Sequence, residues 1–321
     1  MTPAIVRDWR DLPEGLRGSA VALGNFDGVH LGHQRVIAAA AEAARRIGAP
    51  LGVVSFDPHP RQYFQPDAEP FHVMSVAQQA RALGALGVER FYLLPFDAVL
   101  ATMSDETFAA EVLGRGLGAR WVAAGFDVTY GKGRTGGPAE LKAQGERYGF
   151  GVTIVERVAD EAGLKLSSTA VRDALHEGRP DQAAAILGRP FAIEGEVIHG
   201  DKRGREIGVP TANVELGGYV RPRYGVYAVR VRLADGRRLD GVANLGVRPM
   251  YERADPLLEV WLFDFEGDLY GQVIETELVA WLRPELKLDG LEALKAQIEK
   301  DADDARAALA SHRGDVSHRT A

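Results

Sequence analysis

Two histidines three residues apart, His30 and His33, stand in "GNFDGVHLGHQ" (24–34), where an apolar run ends and a helical pattern begins. Gly24, Gly28 and Gly32 let the backbone approach a ligand closely, and the free N–H groups and dipole of a helix starting here favour an anion. An imidazole beside such a terminus can donate to a phosphate oxygen, a charge-assisted bond worth roughly 1.5 to 3 kcal/mol. Two other roles suit the same residues. One ring can cap or pack the helix, or the pair can ligate a metal, for which Asp27 is the only close further ligand.

Three more stretches carry usable chemistry. "SSTAVR" (167–172) is a helix N-cap pattern, and a capped helix start is also where an anion binds, with Arg172 as the added cation. "VIHGDKRGREIGVPTANVEL" (197–216) concentrates Gly200, Lys202, Arg203, Gly204, Arg205 and Gly208 ahead of Thr211 and Asn213. A flexible basic loop beside hydroxyl and amide side chains suits a phosphate and a metal, whereas the same cluster without "PTAN" is an ordinary solvated turn. In "LLEVWLFDF", strand alternation sends Glu259 and Trp261 to one face and Val260 and Leu262 to the other.

A fifth stretch imitates a cofactor site. "GKGRTG", Gly131 to Gly136, fits G-x-G-x-x-G, follows the strand-like "RWVAAGF", precedes a helix, and has Glu156 20 residues beyond Gly136. Against a dinucleotide site, "DVTY" separates the strand from the first glycine and Gly137-Pro138 interrupts the helix start. A phosphate loop is missed too, because Gly125 and Gly131 are one residue too far apart and Gly133 follows Lys132.

The elements that must position these residues differ between the two halves. From Ser19, short apolar runs alternate with helical patterns: "SAVALGN", "HQRVIAAAAEAARRIG", "LGVVSF", "VAQQARALGALG", "RFYLLPF", "DETFAAEVLGRG", "RWVAAGF", "PAELKAQGERYG", "VTIVE". Strand and helix in turn predict an α/β domain, a parallel sheet covered on both faces with ligands beyond the carboxyl ends of its strands. After "SSTAVRDALHEGRPDQAAAILGRP" the pattern becomes extended runs separated by turns, with "ADGR" (234–237) as a hairpin signal, which predicts antiparallel strands. "LDGLEALKAQIEKDADDARAALA" is amphipathic at helical spacing and predicts a closing helix, and "SHRGDVSHRTA" a frayed tail. The boundary falls near 187–189, giving domains 1–186 and 187–310 and a tail 311–321.

Composition bounds the rest. A chain of 321 residues, 46% hydrophobic, can bury two cores. Residues 1–186 carry 19 basic and 22 acidic groups and residues 187–321 carry 19 and 23, so neither half is a basic surface for nucleic acid. Cysteine is absent, which excludes disulfides, thiolate zinc sites and cysteine nucleophiles. The charged start "MTPAIVRDWRDLPEG" is unlike a signal peptide, and no run reaches the roughly 20 apolar residues of a membrane span. A cytoplasmic protein without membrane or nucleic-acid partners is expected.

"GNFDGVHLGHQ" resembles the HxGH-type signature of nucleotidyltransferases in the form found in prokaryotic bifunctional riboflavin kinase/FMN adenylyltransferases, the FAD synthetases. "FDPHP" (56–60), "GFDVTYGKGRTG" (125–136), "SSTAVR", "LGRPFAIEGEVIHG", "PTAN", "GVYAV", "GVANLGVRPM" and "LRPELKLDGLEALKAQIEKD" resemble the same family in the same order, over roughly 19–310. The resemblance implies a Rossmann-like nucleotidyltransferase domain followed by an antiparallel β-barrel riboflavin kinase domain with a closing helix. It implies that FMN phosphate attacks the α-phosphorus of ATP, with Gly24, Asn25, Phe26, Asp27, His30, Gly32 and His33 at the ATP phosphates, together with Ser168, Thr169 and Arg172. It further implies flavin contacts from Phe56, Pro58, Pro60 and Asp127 in the first half and from Asn244 and Arg283 in the second. In the kinase reaction Glu259 is the implied base toward the riboflavin 5'-hydroxyl, Thr211 and Asn213 hold magnesium and nucleotide, and Gly200, Lys202, Arg203, Gly204 and Arg205 meet ATP. Departures from the family pattern are Val128 and Tyr130 where phenylalanines are usual, Met250 for threonine, and Leu288 and Gly290 for phenylalanine and serine. The expected partners are riboflavin, FMN and ATP, with Mg2+, FMN and FAD as ligands and a monomer or weak homo-oligomer as the assembly. Two rivals are an NAD(P)-dependent oxidoreductase using Gly131–Gly136, which would bind nicotinamide cofactor, and a non-catalytic flavin carrier, which would need no "PTAN" or Glu259.

Overall fold

The apolar runs of the first half need both faces covered, and the computed structural model gives them that. It describes residues 2–156, 165–199, 209–247 and 256–316, the side chains of 313–316 excepted. In chain order the first half forms β1 (Ala4–Val6), β2 (Ala20–Leu23), α1 (Leu31–Ile47), β3 (Leu51–Asp57), α2 (Pro60–Phe64), α3 (Val76–Ala85), β4 (Arg90–Pro95), α4 (Ala98–Thr102), α5 (Asp105–Thr107), β5 (Trp121–Gly125), α6 (Pro138–Tyr148) and β6 (Gly151–Val155). All six strands are parallel, in the order β1-β4-β3-β2-β5-β6. Ala20, Val21 and Ala22 are fully buried and Leu23 is 4% exposed, as an unalternating run in a doubly covered sheet requires. The chain runs outward from β2 through β3 to β4 and then returns to the other side of β2 with β5. The order therefore reverses at β2, and the crevice of such a sheet opens beyond the carboxyl end of that strand.

Two details differ from the sequence reading. β1 pairs with β4 at the sheet edge, Ala4 opposite Arg90, and its three residues are too few to show a period. "DETFAAEVLGRG" begins as α5 but continues as a π-helix over Phe108–Gly116, with the Leu117 N–H bonded to the Val112 carbonyl at 2.8 Å. Apolar spacing over nine residues does not separate that wider turn from an ordinary helix.

The second half forms α7 (Ser168–His176), α8 (Pro180–Leu187), β7 (Phe191–Glu196), β8 (Ala212–Glu215), β9 (Gly225–Arg232), β10 (Arg238–Gly246), β11 (Leu257–Leu262), β12 (Val273–Arg283) and a closing helix α9 (Leu291–Val316). The strands are antiparallel in the order β7-β12-β9-β10-β11-β8. The two ends of that series meet where the Ile198 N–H bonds to the Asn213 carbonyl at 2.9 Å, so the sheet closes into a barrel. The β9–β10 hairpin turns at "ADGR", with Gly236 at φ 89°. α9 buries Ala302, Ala305 and Leu309 against Val226, Ala228, Val242 and Phe263 of the barrel. It continues to Val316, beyond the apolar pattern that ends near Ala310.

By packing, the chain divides into two units, one of residues 1–69 and 76–166, the other of 70–75 and 167–321. The helices that close the first half of the sequence thus belong to the second unit, although the change of pattern falls near 187. The reason is burial: α8 packs on β7 and β12 with Ile186 and Leu187 only 2% and 1% exposed, and α7 packs on α8.

Candidate active sites

At the end of β2, the Gly24 N–H extends the ladder to the Val54 carbonyl at 3.2 Å, and the chain then turns through Phe26 (φ 51°), Gly28 (φ 90°) and Val29 (φ 39°). Left-handed conformations at Phe26 and Val29 are costly, and burial of both side chains to 1% exposure holds them. The Asn25 carbonyl accepts from Ser55 Oγ at 2.8 Å and from Gln79 Nε2 at 3.1 Å, which ties the turn to β3 and α3. His30 is the N-cap of α1, with its Nδ1 accepting the His33 N–H at 3.2 Å. That leaves the proton of a neutral ring on Nε2, as a donor. The two imidazoles stack at 3.6 Å and 19°, and the Phe26 ring lies 5.1 Å from His33. A Cβ on Gly32 would stand 3.1 Å from His30 Nδ1 and 3.1 Å from the Leu166 carbonyl, so the glycine makes room for both. Capping therefore uses Nδ1 of His30, at the same helix start where an anion would bind. The metal reading loses that nitrogen, and among the described residues no group of three His, Cys, Asp or Glu could hold a metal ion. Asp27 is buried at 6% exposure.

The residues read as flavin contacts sit past neighbouring strand ends. Phe56, next to last in β3, lies beside Phe96 at 5.8 Å and Phe108 at 6.2 Å. The Asp57-Pro58 peptide is cis, and Pro60 opens α2, capped by His59 Nδ1 accepting the Arg61 N–H at 3.0 Å. That helix adds two aromatics absent from the sequence reading: Tyr63 lies 5.3 Å and Phe64 5.8 Å from Phe96, and Phe64 is 64% exposed. Their signal in the sequence was an aromatic pair one turn after "FDPHP". Asp127 is exposed after β5.

"GKGRTG" has other work. A Cβ on Gly131 would stand 2.4 Å from the Asp105 nitrogen, and one on Gly136 would stand 2.6 Å from Tyr130 Cζ. These glycines fit the loop against its own protein neighbours, and a single 3-10 turn, Lys132–Arg134, follows the first of them. Thr135 Oγ1 and Gln144 Nε2 donate to Asp105 at 2.7 and 2.8 Å, and the Tyr130 hydroxyl donates to Gln144 Oε1 at 2.5 Å. The Thr135 hydroxyl holds the Asp105 carboxyl below the usual carboxylate range, and burial raises the Tyr130 phenol. Tyr130, in place of the usual phenylalanine, thus uses its hydroxyl within the protein.

Ser168 and Thr169 open α7, whose N-cap Ser167 accepts the Ala170 N–H at 3.2 Å. Arg172, one turn on, donates from Nε to the Phe71 carbonyl at 2.7 Å. These residues belong to the second unit.

Barrel register assembles the other candidates. Glu259 of β11 is opposite Asn213 of β8 on one side and Asn244 of β10 on the other; Asn244 is opposite Val226 of β9, and Val226 opposite Arg283 of β12. Directly opposed residues of antiparallel strands share a face at Cβ separations of about 4.5–5.5 Å, so this row gathers four polar candidates from a stretch 70 residues apart in sequence. The row borders a cavity of about 270 Å³ whose polar lining includes Thr211, Asn244, Glu259 and Arg283 and whose apolar lining includes Trp261 and Ile298. Arg283 is bidentate to Asp301 of α9 at 2.7 and 2.6 Å, and Asn244 Nδ2 donates to Glu285 at 3.2 Å. Asp301 and Glu285 were not legible as site residues, because neither stands in a recognisable spacing. Thr211 also lines a second cavity of about 320 Å³ with Val260, Phe265 and Tyr270. Glu259 and Val260 therefore face different cavities, as strand alternation predicts. Gly200, Lys202, Arg203, Gly204, Arg205 and Gly208, and the Arg248–Met250 stretch, lie outside the described residues.

Comparison with known proteins matches residues 12–170 to the FAD synthetase family and residues 187–309 to the riboflavin kinase family. The chain is 39% identical to the bifunctional riboflavin kinase/FMN adenylyltransferase of Haemophilus influenzae, covering 94% of this chain and 98% of that one. It is 41% identical to the protein of the same name from Pseudomonas fluorescens, covering 95% and 98%. A solved Streptococcus pneumoniae structure, titled a macrolide-efflux protein, superposes with a TM-score of 0.84 at 32% identity over 95% of this chain and 99% of that one. Among the described residues no helix is long and apolar enough to cross a membrane.

Proposed function

Since the chain belongs to the bifunctional riboflavin kinase/FMN adenylyltransferase family, we propose that residues 187–310 carry the first of its two reactions and residues 1–186 the second. The enzyme phosphorylates riboflavin with ATP to give FMN, and adenylylates FMN with a second ATP to give FAD and pyrophosphate.

In the kinase reaction Glu259 takes the proton of the riboflavin 5'-hydroxyl as its oxygen attacks the γ-phosphorus of ATP and ADP leaves. The observation that supports this is the cross-strand row that flanks Glu259 with Asn213 and Asn244. The flavin occupies the cavity with Asn244, Arg283 and Trp261, and the nucleotide the neighbouring one, with Thr211 in the wall they share. Thr211 and Asn213 offer only oxygen ligands, which fits magnesium, and Asn213 is buried at 4% exposure. Bound there, the ion would neutralise phosphate charge. Gly200, Lys202, Arg203, Gly204 and Arg205 add backbone and cationic contacts to ATP.

In the second reaction an FMN phosphate oxygen attacks the α-phosphorus of ATP, and the bond to pyrophosphate breaks. No covalent intermediate on the protein is needed, because positioning and charge stabilisation suffice. His30 donates from Nε2, His33 lies stacked beside it, and Gly24, Asn25, Phe26, Asp27 and Gly32 shape the turn. Ser168, Thr169 and Arg172 steady the phosphates, while Phe56, Pro58, Pro60 and Asp127 receive FMN, with Tyr63, Phe64 and Phe96 extending the aromatic surface. The enzyme works in the cytoplasm, where ATP is at hand, as a monomer or weak homo-oligomer; its evenly spread acidic charge speaks against nucleic acid.

Product chromatography with riboflavin, ATP and magnesium tests the assignment. His33→Ala should lower FAD formation from FMN by roughly a hundredfold or more and spare FMN formation, and Glu259→Gln should do the reverse by a similar factor. Equal loss of both activities in a folded variant would contradict separate sites.

A further inference from the structure

Between α2 and α3 the chain leaves the first unit for six residues, Pro70 to Ser75, and the chemistry proposed above leaves this segment without a role. It is built into the second unit. Phe71 and Val73 are 5% and 2% exposed, alternate residues turned inward as in a strand. His72 makes a parallel bridge to Tyr219, donating its N–H to the Gly218 carbonyl at 3.1 Å and accepting the Val220 N–H at 2.9 Å. Ser75 Oγ donates to Glu194 at 3.2 Å, and Arg189 Nη2 meets Met74 Sδ at 3.1 Å.

One contact of the segment bears on catalysis. Arg172 Nε donates to the Phe71 carbonyl at 2.7 Å, and the Arg172 guanidinium carbon lies 5.2 Å from the centroid of the Phe71 ring. An arginine side chain is long and rotatable. A hydrogen bond at Nε together with an aromatic face under the guanidinium fixes both the direction of the fork and the plane in which it lies. The Phe71 ring cannot drift, because it is buried and its neighbour His72 is anchored on both sides by backbone bonds.

We propose that Phe71 is a positioning residue for FMN adenylylation, holding the Arg172 guanidinium in the orientation from which it meets the departing pyrophosphate. This rests on the role given to Arg172 above. Charge on the leaving group grows only as the bond breaks, so misplacing the cation should lower kcat and leave KM for FMN nearly unchanged.

The test uses the full-length chain, with kcat and KM for FMN adenylylation, riboflavin phosphorylation and thermal melting measured on each variant. Phe71→Leu keeps an apolar side chain and removes the ring face; Phe71→Tyr keeps the face. Phe71→Leu is expected to lower adenylylation kcat roughly tenfold or more, since displacements of about an ångström have such effects. Riboflavin phosphorylation and melting should stay close to the unaltered protein, and Phe71→Tyr should recover most of the lost rate. Adding Phe71→Leu to Arg172→Ala should cost nothing further. The proposal is overturned if Phe71→Leu retains full adenylylation while Arg172→Ala loses it, if the two losses multiply, or if Phe71→Leu lowers both activities and melting together. Full adenylylation by Arg172→Ala would instead remove the role assigned to the arginine itself.

Discussion

His30 and His33 look equivalent in the sequence and are not equivalent in the fold. His30 has two roles, since its Nδ1 caps α1 through the His33 N–H while its Nε2, which carries the proton of a neutral ring, is the donor proposed for a phosphate oxygen. His33 has no such duty at the helix end. His30→Ala should therefore cost about 1 kcal/mol of stability as a lost N-cap as well as adenylylation, whereas His33→Ala should leave the melting temperature near that of the unaltered protein. Parallel melts of the two variants check this. Similar economy holds at Tyr130, where a hydroxyl absent from the family's usual phenylalanine is bonded to Gln144.

Elements turn single residues into sites, and two of them make their own predictions. α9 is seated on the barrel by apolar packing and by Arg283 with Asp301, whose side chains are 20% and 7% exposed. Removing one partner of a largely buried pair leaves the other charge uncompensated. Asp301→Ala should destabilise the second unit by about 3 kcal/mol in urea unfolding and weaken riboflavin binding, because Arg283 and α9 both border the cavity proposed for riboflavin. The loop after β5 closes on Asp105, whose carboxyl is held below the usual range by Thr135. A depressed folded-state value contributes stability above the unfolded value, near 4, and that contribution is lost as pH falls. Asp105→Asn should accordingly lower the calorimetric melting temperature of the first unit at neutral pH, with the difference shrinking as the acid range is entered.

At the scale of the molecule, the change of sequence pattern near 187 and the division by packing at 166 answer different questions. A fragment of residues 187–321 lacks α7 and α8 and bares the faces of β7 and β12 that α8 covers. It should melt at a lower temperature than a fragment of residues 167–321, and equal melting temperatures would count against the packing division. What the residues determined alone were local matters: which segments are strands or helices, where a helix is capped, and which short spacings suit phosphate. These are set by periodicity and by neighbours a few positions apart, as at His30 and His33. β1 was too short for a period, and the π-helical turn left no distinct spacing. The fate of "GKGRTG" was decided by Asp105 and Tyr130 pressing on its glycines, and the row of Asn213, Glu259, Asn244 and Arg283 was decided by barrel register. So was the company of Phe71 and Arg172, a hundred residues apart. Only the tertiary structure could settle such pairings, because register and close packing are properties of chain segments brought together across long loops, and no local preference encodes which distant partner arrives.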